Sequence, residues 1–151
     1  MRKRIAFCPA DNNRLEEFKK LETSLRKFHS EEELPLLRFD NTTGDPDFFY
    51  RATPILAREL FKEYDVLIKL DSDQIICSDL SYLWQEGDFD VGVVMNDPSY
   101  PISLWDISPQ GRYYNMGLVV LKNKEFVEHW YRLCFSDHFY NYQFREQDLL
   151  N

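Results

Sequence analysis

Two carboxylates separated by a single residue, placed where an apolar strand ends, can close on one hard cation. The D-x-D pattern occurs three times in this 151-residue chain, at Asp45-Pro46-Asp47, Asp71-Ser72-Asp73 and Asp88-Phe89-Asp90. Only Asp71 and Asp73 follow a run that reads as a buried strand, "VLIKL" at 66–70. If the backbone stays extended there, positions i and i+2 face the same way and both side chains reach one ion. Oxygen ligands of this kind suit Mg²⁺ or Mn²⁺ better than zinc. Asp45 and Asp47 flank a proline in a turn-rich stretch, and Asp88 and Asp90 lead into a strand, so both pairs read as turn formers or solvated charges.

Position alone leaves three readings of Asp71 and Asp73 open. They can cap a helix that follows. They can serve a phosphatase of the haloacid dehalogenase type, whose apolar strand also ends in D-x-D with the first Asp as nucleophile. Against this, Gln74 and Ile75 stand where Gly or Thr is usual, and no later paired-acid motif follows. Or they can hold a cation that bridges the diphosphate of a nucleotide sugar and stabilises the leaving group.

The elements that must position these residues alternate. "RIAFCP" reads as a short buried strand, and 12–29 as a helix with Leu15, Phe18, Leu21, Leu25 and Phe28 recurring every three or four residues, capped by Asn12 or Asn13. "LPLLRFD" is a second strand and "NTTGDPD" a loop. A second helix spans 48–64, with Pro54 tolerable only near its first turn. After the 66–70 strand come a short helix at 78–84, a strand at 89–95, an irregular loop at 99–111, a strand at 117–122 and a helix at 124–135. Alternation of this kind predicts crossovers and a mostly parallel sheet flanked by helices. In such sheets ligands bind outside the carboxyl ends of the strands, where Asp71 and Asp73 fall.

The composition narrows the function. With 44% apolar, 16% aromatic and 29% charged residues the chain is globular, and its length suits one domain over 1–151. A net charge of -8 and a pI near 4.9 argue against binding nucleic acid through its backbone. An anionic ligand therefore needs a local device, such as a metal or one placed arginine. No G-x-G-x-x-G or G-x-x-x-x-G-K cradle occurs. Cys8, Cys77 and Cys134 are odd in number and lack C-x-x-C spacing, so neither a disulfide framework nor a zinc knuckle is expected and a cytoplasmic setting fits. No apolar run reaches the ~18 residues of a membrane span. The final "REQDLLN" reads as the start of a helix, which leads us to expect truncation at the C-terminus.

Four stretches, in order, resemble the GT-A nucleotide-sugar glycosyltransferases, in particular glycosyltransferase family 8 and its bacterial relatives. "IAFCPADNN" is similar to the first strand and loop of that family, which implies Asp11 and Asn12 at the nucleobase and ribose. The 48–84 stretch resembles the segment carrying a donor-contacting arginine and then D-x-D, which implies Arg51 on the donor, Asp71 and Asp73 on the metal, and Ser72 beside the donor. "GRYYNMGLVVLKNKEF" resembles an aromatic-Asn-x-Gly strand, which implies Asn115 and Gly117 near the donor sugar. "REQDLLN" resembles the D-Q-D-x-L-N block of the catalytic centre, which implies catalytic roles for Gln147 and Asp148, with Glu146 where the family carries Asp.

Chemistry suits each implied role. Arg51 offers a planar fork for phosphate, Gly117 lets backbone approach a ligand, and the Gln147 amide can steady an oxocarbenium-like transition state. The resemblance implies a Rossmann-like GT-A sandwich. Its expected activity is metal-dependent transfer of a hexose, with retention, from a nucleoside diphosphate donor, taken to be UDP, to a hydroxyl on a glycan, lipid or protein acceptor. An inverting enzyme would instead need a carboxylate base such as Glu146 or Asp106. Trp105, Tyr113 and Tyr114 are candidates for stacking on sugar rings. Loss of turnover with retained nucleotide-sugar binding is the non-enzymatic alternative. The family's third metal ligand, a downstream histidine, has no counterpart, and His29, His129 and His138 read as ordinary exposed histidines.

Overall fold

The computed structural model describes residues 2–42, 44–85, 87–95, 113–141 and 145–150. Five strands form one sheet in the order β2-β1-β3-β5-β4, with β1 at Arg4–Pro9, β2 at Leu36–Phe39, β3 at Val66–Leu70, β4 at Val91–Met95 and β5 at Tyr114–Leu121. β1 pairs in parallel with β2 and β3, whereas β5 runs antiparallel to both β3 and β4. Four strands thus point one way, as expected, and β5, wedged between β3 and β4, runs against them. The reversal has a functional consequence. It brings the start of β5, with Asn115, Met116 and Gly117, beside the end of β3, where Asp71 begins.

Helices cover both faces of the sheet: α1 (Leu15–Leu25), α2 (Ala52–Leu60), α3 (Tyr82–Gln85), α4 (Lys124–Cys134) and α5 (Glu146–Leu150). The alternation along each strand divides the core. Ala6, Val66, Ile68, Leu70 and Val120 pack against Phe18, Leu21 and Leu25 of α1, while Ile5, Phe7, Leu67, Val119 and Leu121 pack against α2 and α4. Each fully buried Leu or Ile contributes roughly 1.5–3 kcal/mol over leaving it in water. Pro54 is the third residue of α2, where its missing N–H costs no helical bond.

Two expected details change. A short 3-10 turn, Asn12–Arg14, precedes α1, and its cap is the Asp11 side chain, which accepts from the Arg14 amide at 3.1 Å. Asn12 and Asn13 are therefore not the cap. His29 is not an exposed histidine: it is 1% exposed, and its Nε2 accepts the Leu80 amide at 2.8 Å, joining the end of α1 to the segment before α3. His129 is exposed on α4, as expected. Trp105 and Asp106 lie outside the described residues. Among the described residues, no helix is long and apolar enough to cross a membrane, and Cys8, Cys77 and Cys134 are free thiols.

Candidate functional site

A cleft of about 340 Å³ opens at the carboxyl ends of β1 and β3. Asp11 and Arg14 come from the chain after β1, Thr53 from α2, Lys69 and the Asp71-Ser72-Asp73 loop from β3, and Glu146 and Gln147 from α5. The sheet brings together residues up to 138 positions apart (Pro9 to Gln147) in one concavity.

The Asp71-Ser72-Asp73 segment does not stay extended. It turns at once, with the Gln74 amide donating to the Asp71 carbonyl at 3.3 Å, so simple alternation is not what brings both aspartates to the cleft. The turn is pinned on three sides. The Asp71 amide donates to Gly117 O at 2.9 Å and to Gln74 Oε1 at 3.2 Å, and Ser72 Oγ donates to Glu17 Oε2 at 3.1 Å. No helix follows directly: the next, α3, begins at Tyr82, and the Ser81 amide before it is satisfied by Asp79. The capping reading of Asp71 and Asp73 therefore fails.

Gly117 supplies room for this turn. A Cβ added there would lie 2.8 Å from Asn115 Oδ1, 3.0 Å from Gln74 Nε2 and 3.4 Å from Asp71 Oδ2. The absent side chain keeps the Asp71 carboxylate in the cleft, where its side chain is 47% exposed. Two hard oxygen donors lining one wet cleft fit a divalent cation as first ligands, with the remaining positions left to a ligand's oxygens. Among the described residues no group of three or more His, Cys, Asp or Glu is placed to hold a metal.

Opposite this turn, α5 presents its first residues. Glu146 is 8% exposed; Thr53 donates to it from both its amide (3.3 Å) and its hydroxyl (3.1 Å), and Trp130 Nε1 donates to its carbonyl at 3.0 Å. Burial pushes its carboxyl up to about 7, against the opposing pull of the Lys69 charge and the Thr53 bonds. Gln147 is held at both ends of its amide: Met116 N donates to its Oε1 at 3.1 Å, and its Nε2 donates to Tyr113 Oη at 3.0 Å. Tyr113 in turn donates to Asp148 Oδ1 at 2.5 Å, and Asp148 is 2% exposed. An exposed helix terminus is thus excluded for Gln147 and Asp148. Tyr113 is correspondingly buried as a strut and offers no face to a sugar; burial, then Asp148, push its phenol above the usual range.

The start of α5 is held under strain. Arg145 has φ 48°, the left-handed region that non-glycine residues rarely occupy. Its guanidinium pairs with Asp47 and lies 4.5 Å from the Tyr50 ring and 5.3 Å from that of Phe139. Asp47 also accepts from Tyr140 Oη at 3.1 Å. Burial raises the Asp47 carboxyl, but the hydrogen bonds from Tyr140 and Arg145 outweigh it and hold the group low. The first D-x-D is thus no solvated turn on its second member: Asp47 fixes the loop before α2 to the start of α5.

Other expected residues stand apart. Arg51 does not line the cleft; its guanidinium donates to Tyr140 Oη at 2.8 Å and stacks 4.2 Å from the Phe139 ring. The guanidinium that does line it is Arg14, bonded to Glu17 at 2.8 Å. Asn12 lies outside, accepting from Arg38 at 3.2 Å, and Asn115 turns its Oδ1 to the Gly117 amide at 2.6 Å. The sequence does not single out Lys69, Thr53 or Arg14 as site residues, though all three line the cleft. Lys69 did carry a signal: a lysine inside a strand apolar on both faces, two residues before an aspartate, needs a partner and has one within reach.

No family model matches this sequence, and no curated protein sequence matches it significantly. Solved structures do. The bifunctional glycosyltransferase WbbM matches with TM-score 0.73 at 16% identity, over 99% of this chain and 37% of that one. The galactosyltransferase LgtC, solved with donor and acceptor sugar analogues, gives 0.70 at 22% identity, over 98% and 69%. The apo form of GlyE from Streptococcus pneumoniae gives 0.66 at 16% identity, over 100% and 42%. The chain therefore spans well under half of GlyE and WbbM. At these identities the likeness concerns architecture, and the architecture is that of the GT-A glycosyltransferases.

Proposed function

We propose that the chain is the nucleotide-sugar-binding part of a metal-dependent glycosyltransferase. It would take a hexose from a nucleoside diphosphate donor, assigned as UDP, to a hydroxyl on a glycan, lipid or protein acceptor, with retention at the anomeric carbon. One observation carries most weight: Asp71, Asp73, Glu146 and Gln147 line the same cleft at the carboxyl ends of the strands, on a fold shared with glycosyltransferases. The phosphatase alternative draws no support from those likenesses.

Asp71 and Asp73 are assigned to hold Mn²⁺ or Mg²⁺. When bound, the cation would neutralise charge developing on the departing diphosphate. Asp11 is assigned to the nucleoside end, and Arg14, rather than Arg51, to the phosphates on the strength of its place in the cleft. Arg51, Asn12 and Asn115 are bonded to Tyr140, Arg38 and the Gly117 amide instead of lining the cleft. Gln147, fixed at both amide ends, presents a pre-oriented dipole beside the sugar. Asp148 acts on Gln147 through Tyr113, and Glu146 with Thr53 shapes the sugar pocket.

The test is the melting temperature with UDP and Mn²⁺ together, against UDP with EDTA, Mn²⁺ alone, and the same series in Asp71→Asn/Asp73→Asn protein. A ligand at a hundredfold excess over its Kd stabilises by about 2.7 kcal/mol. The largest rise is expected with both ligands and lost in the double variant. Absence of any rise in folded protein would refute the donor site. Release of UDP from a panel of UDP-hexoses then identifies the sugar.

A further inference from the structure

Resting on the proposed donor site, we infer that Lys69 is a built-in cation of that site, sharing Asp71 with the divalent ion and supplying part of the countercharge to the diphosphate. Lys69 sits within β3, two residues before Asp71, and is 5% exposed. Its Nζ donates to Asp71 Oδ1 and, at 2.5 Å, to the Met116 carbonyl on the antiparallel neighbour β5. A lysine buried for packing alone would be expensive and would be met by partners closed off from water. Here the principal partner is the half-exposed Asp71 carboxylate, and Lys69 itself lines the cleft.

The charge pattern gives this position its purpose. Among the described residues the cleft is lined by the carboxylates of Asp11, Asp71 and Asp73 and the carboxyl group of Glu146, set against the cations Arg14 and Lys69. Arg14 shares its charge with Glu17 and cannot offset these groups alone. An anionic diphosphate entering such a cleft meets repulsion unless fixed positive charge offsets it, and an ammonium on a strand is a point charge that needs no recruitment from solvent. Lys69 also has three N–H donors, of which Asp71 and Met116 engage two. Two consequences have opposite signs. Lys69 favours the diphosphate even without metal, and it disfavours a bare divalent ion, because it already occupies an oxygen of Asp71.

Isothermal calorimetry on wild-type, Lys69→Met and Lys69→Arg proteins separates these effects, with UDP in EDTA, Mn²⁺ alone, and UDP with Mn²⁺. Loss of one charge-assisted contact to phosphate is expected to weaken UDP in EDTA about tenfold or more in Lys69→Met, and less in Lys69→Arg, which keeps the charge. Mn²⁺ alone should bind Lys69→Met more tightly than wild type, because the Asp71 oxygen that the ammonium occupies is freed. Unchanged UDP affinity in EDTA, or no gain for Mn²⁺, in folded Lys69→Met overturns the inference. Should that variant fail to fold, the wild type decides: UDP binding that requires Mn²⁺ absolutely overturns the role of Lys69 while leaving the donor site standing. UDP binding under no condition refutes both.

Discussion

Glu146 makes stability depend on pH in a direction opposite to that of most carboxylates. Its carboxyl ordinarily titrates near 4.5 and is pushed up to about 7 by burial. Below pH 4.5 the folded and unfolded chains both carry the proton, and this contribution to stability is fully present. Between 4.5 and about 7 the unfolded chain releases the proton while the folded one keeps it, so stability falls as pH rises and levels off above 7. At about 1.4 kcal/mol per pH unit the whole loss is about 3 kcal/mol. Glu146→Gln removes the titration while keeping the shape. Its amide oxygen can accept from the Thr53 amide as the carboxyl does, and its NH2 can turn to the oxygen of the Thr53 hydroxyl. Urea unfolding of both proteins in EDTA from pH 4.5 to 8 should show near-equal stability at the acid end. By pH 8 the Gln variant should lead by about 3 kcal/mol. All other titrating groups are common to the two proteins and cancel in the difference. A difference independent of pH would refute the assignment of a buried, proton-holding Glu146.

Gly117→Ala should cost about 1–3 kcal/mol, the usual range for overpacking, because its Cβ meets Asn115 Oδ1 at 2.8 Å while that atom is tied to the Gly117 amide. The same variant should lose most of the rise in melting temperature with UDP and Mn²⁺, since Asp71 is its third neighbour. Asp47→Asn and Arg145→Ala should each lower the melting temperature, and the double variant should lose less than the two losses added together. Strict additivity in that cycle would show that the ion pair does not couple the loop before α2 to α5.

Much of the scaffold was legible because it follows from short-range patterns. The spacing of Phe18, Leu21 and Leu25 gives α1 its buried stripe, and the apolar run at 66–70 gives β3 its place between two covered faces. Asp71 and Asp73, directly after that strand, pointed to the carboxyl ends of the strands as the site, and the resemblance to glycosyltransferases added Gly117, Gln147 and Asp148. Residue types and local spacing are properties the sequence carries in itself.

What required the tertiary structure is everything that depends on which distant groups meet. The pairing of β5 against β3 places the Gly117 carbonyl on the Asp71 amide and the Met116 carbonyl on Lys69. That contact turns the odd residue of a buried strand into a charge in the cleft. Nothing local distinguishes Arg51 from Arg14, yet aromatic packing on Phe139 turns the first away while the second lines the cleft. Asp47 looked like a turn former until Arg145, 98 residues later, came to rest on it. Sequence determined which side chains were available and which elements would carry them. Long-range contacts decided their burial, their partners and their protonation, because those depend on the field and packing of neighbours that only folding assembles.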